Sequence, residues 1–161
     1  MSNEMKISSW SKKRLEEQGF CGFTDTELRQ HRFGIRLAYI VCLSLVVIGL
    51  VAKSQLFLLI ANIIALIGIL PPYHPIDYLY NFGLRHLMNR PKLPRRANQG
   101  RFACALATVM LAAINYYFYL GNFTVVYAVS AALLTSAFLV GFIDLCIPSI
   151  IYNALFGRRF N

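Results

Sequence analysis

Asp144, Cys146, Pro148 and Ser149 follow one another closely in the stretch GFIDLCIPSIIY, residues 141–152. A thiol beside an acid and a hydroxyl is material for nucleophilic or redox chemistry, because the thiolate reacts and its surroundings set how much of it is present. Cys146 is therefore the candidate thiol, with Asp144 and Ser149 as its neighbours. Two environments are open to it. If a helix ends near Cys146, the negative end of that helix and Asp144 both disfavour the thiolate. If Pro148 opens a new helix, Cys146 lies near a positive end, which lowers a thiol pKa. The usual role of an isolated cysteine is inert packing.

The remaining cysteines, Cys21, Cys42 and Cys104, form no C-x-x-C pair with Cys146 or with one another. A structural zinc site needs three or four converging nitrogen or sulfur ligands, and His31, His74 and His86 are the only imidazoles that can contribute. No metal or cofactor is expected.

The elements that position these residues follow from composition. Of the 161 residues 57% are hydrophobic and 14% charged, which is too apolar for an ordinary soluble domain. The net charge of +9 would suit nucleic acid, but the basic residues lie between apolar runs that are themselves nearly uncharged. That is how a membrane protein places its charge, and no nucleic acid is expected as a partner. Four apolar runs, at about 33–52, 55–72, 102–120 and 123–146, predict four transmembrane helices. Short turns at Lys53-Ser54 and Gly121-Asn122 pair them into two helical hairpins, joined by a connector over 73–101. The four-helix domain covers 32–157, after an N-terminal tail (1–31) and before a basic C-terminal end (158–161). The fold class expected is thus an all-α integral membrane protein. The tail, connector and C-terminal end are basic, whereas the opposite side offers only Lys53, so both termini and the connector are placed in the cytoplasm. The first span reads as a retained helix rather than a cleaved signal peptide, and Tyr116, Tyr117 and Tyr119 suit the outer interface.

Within the connector, Ile76, Leu79, Tyr80, Gly83, Leu84 and Leu87 share one helical face, with Asp77, Asn81, Arg85 and Asn89 toward the other. This predicts an amphipathic helix in the inner interface, opened by Pro75. Arg85, Arg90, Lys92, Arg95 and Arg96 then face lipid as candidates for anionic head groups, or serve only to set topology. Inside the spans, Asn62 and Asn115 are read as interhelical hydrogen-bonding residues. A solute path lined by such polar residues is the transporter alternative, but ion-coupled carriers generally use intramembrane ionisable groups, and Asp144 lies near the end of its span. RFGIRLA (32–38) and RFACALA (101–107) open the first and third spans alike, as a duplicated hairpin or by chance. The fourth run continues to Phe156, about 50 Å as one straight helix, so a bend at Pro148 is expected.

HPIDYLYNFGLRHLMNRPKLP, then RFACALAT, then CIPSIIY resembles the bacterial membrane proteins of the domain of unknown function 4395 family, over roughly residues 30–156. Members often end in C-x-G-C-x-x-Y; here Cys146 and Tyr152 match, whereas Pro148 replaces the glycine and Ser149 the second cysteine. The resemblance implies a bacterial inner membrane and, by association only, thioredoxin-like or sulfurtransferase partners. A family dithiol is absent, leaving a single thiol able to carry a mixed disulfide or persulfide. The expectation is a structural or partner-binding membrane component rather than an enzyme. A monothiol sulfur or redox protein and a small-solute transporter are the alternatives.

Overall fold

The computed structural model describes residues 7–70 and 72–157, all in helices and connecting turns. Helix α1 (Ser9–Glu17) precedes the long α2 (Asp25–Val51) and the short α3 (Gln55–Ile67). The connector holds α4 (Pro75–Leu79), a π-helical turn (Tyr80–Leu84) and α5 (Arg85–Leu87). Then come α6 (Asn98–Tyr119), α7 (Phe123–Ile143) and α8 (Ile147–Phe156).

Local chemistry explains the boundaries. Thr24 and Glu27 form a reciprocal capping box that starts α2 well before the apolar run. At the two far turns, Lys53 (φ 49°) and Gly121 (φ 71°) adopt the left-handed conformation that reverses each hairpin, and the Asn122 side chain caps α7 by accepting from the Val125 amide. At the other end, Asp144 (φ 57°) stops α7 in the same conformation. Pro148 then occupies the first turn of α8, where its missing N–H costs nothing.

Four helices form a ring in the order α2, α3, α6, α7, with α7 returning to α2. Its core is Val46, Leu58, Ala61, Ala65, Leu111, Ile114 and Val126. Gly49 lets the α3 backbone approach, since a methyl there would stand 3.3 Å from the Leu58 amide nitrogen. Large apolar side chains such as Val51, Leu56, Ile63, Val109 and Phe138 point outward. A second cluster, Leu15, Leu28, Ile35, Tyr80 and Leu93, joins α1 and the connector to the near end of the ring.

The structure departs from these expectations in two places. Among the described residues three helices, α2, α6 and α7, are long and apolar enough to cross a membrane, where four were expected. The second run forms a helix of 13 residues, only ~20 Å long. It stops at Gly68, and the His74 ring packs directly against that backbone. The connector helix departs from the expected pattern at its polar side: Asp77 and Asn81 are buried together with Ile76 and Tyr80, while Leu79, Phe82 and Leu87 are exposed. Asp77 and Asn81 have polar partners inside, and the π turn after Leu79 shifts the phase of everything downstream. Residues 7–31 of the N-terminal tail include α1 and the start of α2, with Leu15 and Leu28 almost fully buried. The basic end at 158–161 lies outside the described residues.

Candidate functional site

The polar chemistry gathers at the end of the ring where α2 and α6 begin and α3 and α7 finish. Two buried carboxylates organise it. Asp144, only 1% exposed, accepts from Arg32 Nη2 at 2.6 Å and from Arg36 Nε at 2.9 Å. Arg36 Nη2 also donates to the Phe142 carbonyl, and Gln18 Nε2 donates to the Asp144 carbonyl, both at 2.8 Å. The αL backbone at Asp144 is what turns its carboxylate back toward α2. One residue thus ties together the segment after α1, the start of α2 and the α7–α8 junction.

Asp77 is the second node, 3% exposed. Arg96 grips it with both sides of its fork, Nε to Oδ2 at 2.8 Å and Nη2 to Oδ1 at 3.1 Å, the bidentate geometry that suits a guanidinium to a carboxylate. The His74 amide donates to Asp77 Oδ2 at 3.2 Å, and His74 Nδ1 accepts from the Ile76 amide at 3.3 Å. That second bond leaves Nε2 carrying the proton of the neutral ring. Burial, with Arg96 nearby, pushes the His74 imidazolium down to about 4 even against the pull of Asp77. The Arg96 guanidinium also lies 5.6 Å from the Tyr39 ring centroid.

A cavity of about 80 Å³ opens beyond this node, lined by Tyr39, Cys42, His74, Arg96 and Cys104 at one end and by apolar residues of α2, α6 and α7 elsewhere. Arg96 Nη1 reaches the Cys104 sulfur at 3.8 Å. A methyl on Gly68 would lie 3.0 Å from both Cys104 Sγ and His74 Nε2, so thiol and imidazole both pack against that bare backbone. A neighbouring cavity of about 70 Å³ shares Tyr39 and Ala103 and touches Cys146 and Pro148. Each volume is large enough for a water molecule but falls below the ~150 Å³ that accepts a benzene ring.

Cys146 itself is the N-cap of α8, 3% exposed. Burial pushes its thiol up; the Ser149 hydroxyl and amide, and more distantly Arg96, pull the other way without overcoming it. Asp144 sits two residues away but spends its carboxylate on Arg32 and Arg36. Among the described residues, no three His, Cys, Asp or Glu side chains converge as metal ligands.

The other anticipated residues are dispersed. Arg96 turns inward to Asp77, whereas Lys92 and Arg95 are exposed and Arg85 half-buried. Arg90 lies over the Phe33 ring and Lys92 over the Tyr73 ring. Asn115 Nδ2 donates to the Leu58 carbonyl across to α3 at 3.2 Å and to Leu111 of its own helix at 2.8 Å. Asn62 keeps its side-chain oxygen buried without a hydrogen bond. Ser44, Thr108 and Thr135 each donate to a carbonyl one turn back in their own helix. Sequence reasoning overlooked His74, Asp77, Arg96 and Cys104 as one cluster. The available signal was Asp77, the single acid in a connector with six basic residues.

Among the described residues these features define an all-helical fold with three helices long and apolar enough to cross a membrane and a charge network buried at one end of the bundle. The chain belongs to the DUF4395 family, a domain of unknown function, whose profile matches residues 32–156. No curated protein and no solved structure matches it. The matched region begins at Arg32 and contains both carboxylate nodes, and it leaves α1 outside.

Proposed function

We propose that this protein is a multi-pass component of a bacterial inner membrane with a structural or partner-binding role. In this reading α3 is a fourth, short crossing, and the termini and connector face the cytoplasm. Its place in the ring supports this, because Leu56, Ile63 and Leu66 face outward beside the apolar surfaces of its neighbours, and a short span is accommodated by local thinning of the bilayer. The single observation that carries the reading is that the buried charge at the cytoplasmic end is satisfied inside the chain: Asp144 by two arginines and Asp77 by one. Such an end is a finished platform rather than a set of groups waiting for substrate.

The monothiol reading is second, favoured by the position of Cys146 at the start of α8 with Ser149 beside it. A thioredoxin-like or sulfurtransferase partner would belong to that reading. Maleimide labelling in membranes separates the two, with Cys21, Cys42 and Cys104 replaced by Ser or Ala. Slow labelling of Cys146 that rises only above the ordinary thiol range is expected. Rapid labelling that persists below neutral pH would replace the platform reading with the monothiol one. A transporter has little support, since the span hydroxyls named above bond their own helices.

A further inference from the structure

Outside the buried network, the most distinctive charged feature is an open cleft of about 370 Å³ between the start of α2 and the end of the connector helix. Thr26, Arg29 and Gln30 form one wall, and Met88, Asn89 and Arg90 the other. Arg29 is exposed and has no ion-pair partner among the described residues. The nearest acids on its helix are engaged elsewhere, Asp25 with Lys12 at 2.6 Å and Glu27 with the Thr24 amide at 2.8 Å. Arg90 is held at the cleft: its Nη1 donates to the Gln30 carbonyl at 3.3 Å, and its guanidinium rests 5.4 Å from the Phe33 ring centroid. That contact uses one donor and leaves the rest of the fork free. Asn89 (φ 47°) turns the chain there, which sets Arg90 opposite α2.

Two guanidinia facing one cleft, with a hydroxyl and two amides beside them, suit a phosphate group. The border of the cleft is apolar, since Phe33, Leu87 and Met88 are all exposed. We infer that this cleft binds the phosphate of an anionic phospholipid, with the acyl chains leaving past Phe33 and Leu87. The lipid is favoured over a free phosphate because a soluble ion has no use for that apolar border. The inference deepens the membrane reading above and rests on this end of the bundle facing the inner leaflet.

The test uses the full chain, purified in detergent and stripped of lipid. Phosphatidylglycerol, phosphatidylcholine and inorganic phosphate are titrated separately while bound adducts are followed by native mass spectrometry. Phosphatidylglycerol is expected to bind most tightly, and Arg29→Gln and Arg90→Gln each to weaken it roughly fivefold, the worth of one interfacial basic residue. Arg95→Gln, on the same connector but away from the cleft, is expected to leave affinity unchanged. Equal retention of phosphatidylcholine, or equal weakening by Arg95→Gln, would overturn the site in favour of diffuse charge. Displacement of the lipid by millimolar inorganic phosphate would overturn the lipid as occupant. Labelling of Gln30→Cys in intact cells separates the two levels of the argument. Reaction with an impermeant maleimide from outside would reject the inner-leaflet orientation, whatever the detergent titration gives.

Discussion

Asp144 and Asp77 are both buried aspartates at the same end of the bundle, and they are neutralised in different ways. Asp144 meets two arginines that keep about a fifth to a third of their side chains exposed, so the node carries net positive charge and touches water. Asp77 meets one arginine that is itself only 10% exposed, and the pair is electrically neutral and dry. The partners of Asp144 lie over 100 residues away in sequence, whereas Arg96 lies 19 away within the same connector. The first node is therefore a clamp between distant helices. The second is an internal brace that holds the connector against the cavity. The two should respond differently when broken, because an unpaired charge costs more the less water can reach it.

Arg96→Met tests the dry node and should have the largest effect. It leaves the Asp77 carboxylate buried with only the His74 amide, and should cost ~3–5 kcal/mol. Thermal unfolding in detergent would show this as a large loss, and Asp77→Asn added to Arg96→Met should recover much of it. A loss no greater than that of a surface arginine would erase the distinction between the nodes.

Acid should act next, through His74. Its folded pKa of about 4 lies below the ordinary value of 6.5. The unfolded chain therefore binds the proton first as pH falls, so stability drops between about 6.5 and 4 and is fully present above that window. The contribution is on the order of 3 kcal/mol at most, and His74→Gln should flatten this part of the stability–pH curve. An unchanged slope would mean the imidazole opens to water before it is protonated.

The smallest effect belongs to the wet clamp. Asp144→Asn keeps a residue that tolerates the left-handed conformation, and its two arginines can turn toward solvent. A loss of ~1–3 kcal/mol is expected from the remaining desolvated donors. Asp144→Ala should cost ~1 kcal/mol more, because alanine is strained at positive φ. Equal melting of the two variants would show that the backbone conformation at Asp144 is not what stops α7.

Much of this architecture was open to reading in advance, and the parts that were not share a cause. The hairpin turns at Lys53 and Gly121 announce themselves, since apolar runs end there at about the length of a bilayer crossing. A break near Pro148 follows from helix length and proline chemistry, although the chain makes it at 144–146 and Pro148 already lies in α8. The connector also reads as a helix, but its orientation does not. Apolar periodicity predicts the buried face only when solvent is the alternative; in Leu79, Phe82 and Leu87 the outward side is the apolar one. Of the site, Cys146 was visible as a candidate, and its burial was not. Cys104 and His74 had no visible relation, yet both line one cavity and both pack against Gly68.

The sequence by itself determined the helical class, the hairpins, the end at which positive charge collects and that the run after Phe123 must break. These follow from local propensities and from the alternation of apolar and basic segments, which need no knowledge of neighbours. Only the tertiary structure decided which arginine meets which aspartate, which face of the connector turns inward, and that the Cys146 thiol is sealed rather than presented. Those outcomes depend on desolvation, and a group is desolvated by whatever packs against it from elsewhere in the chain.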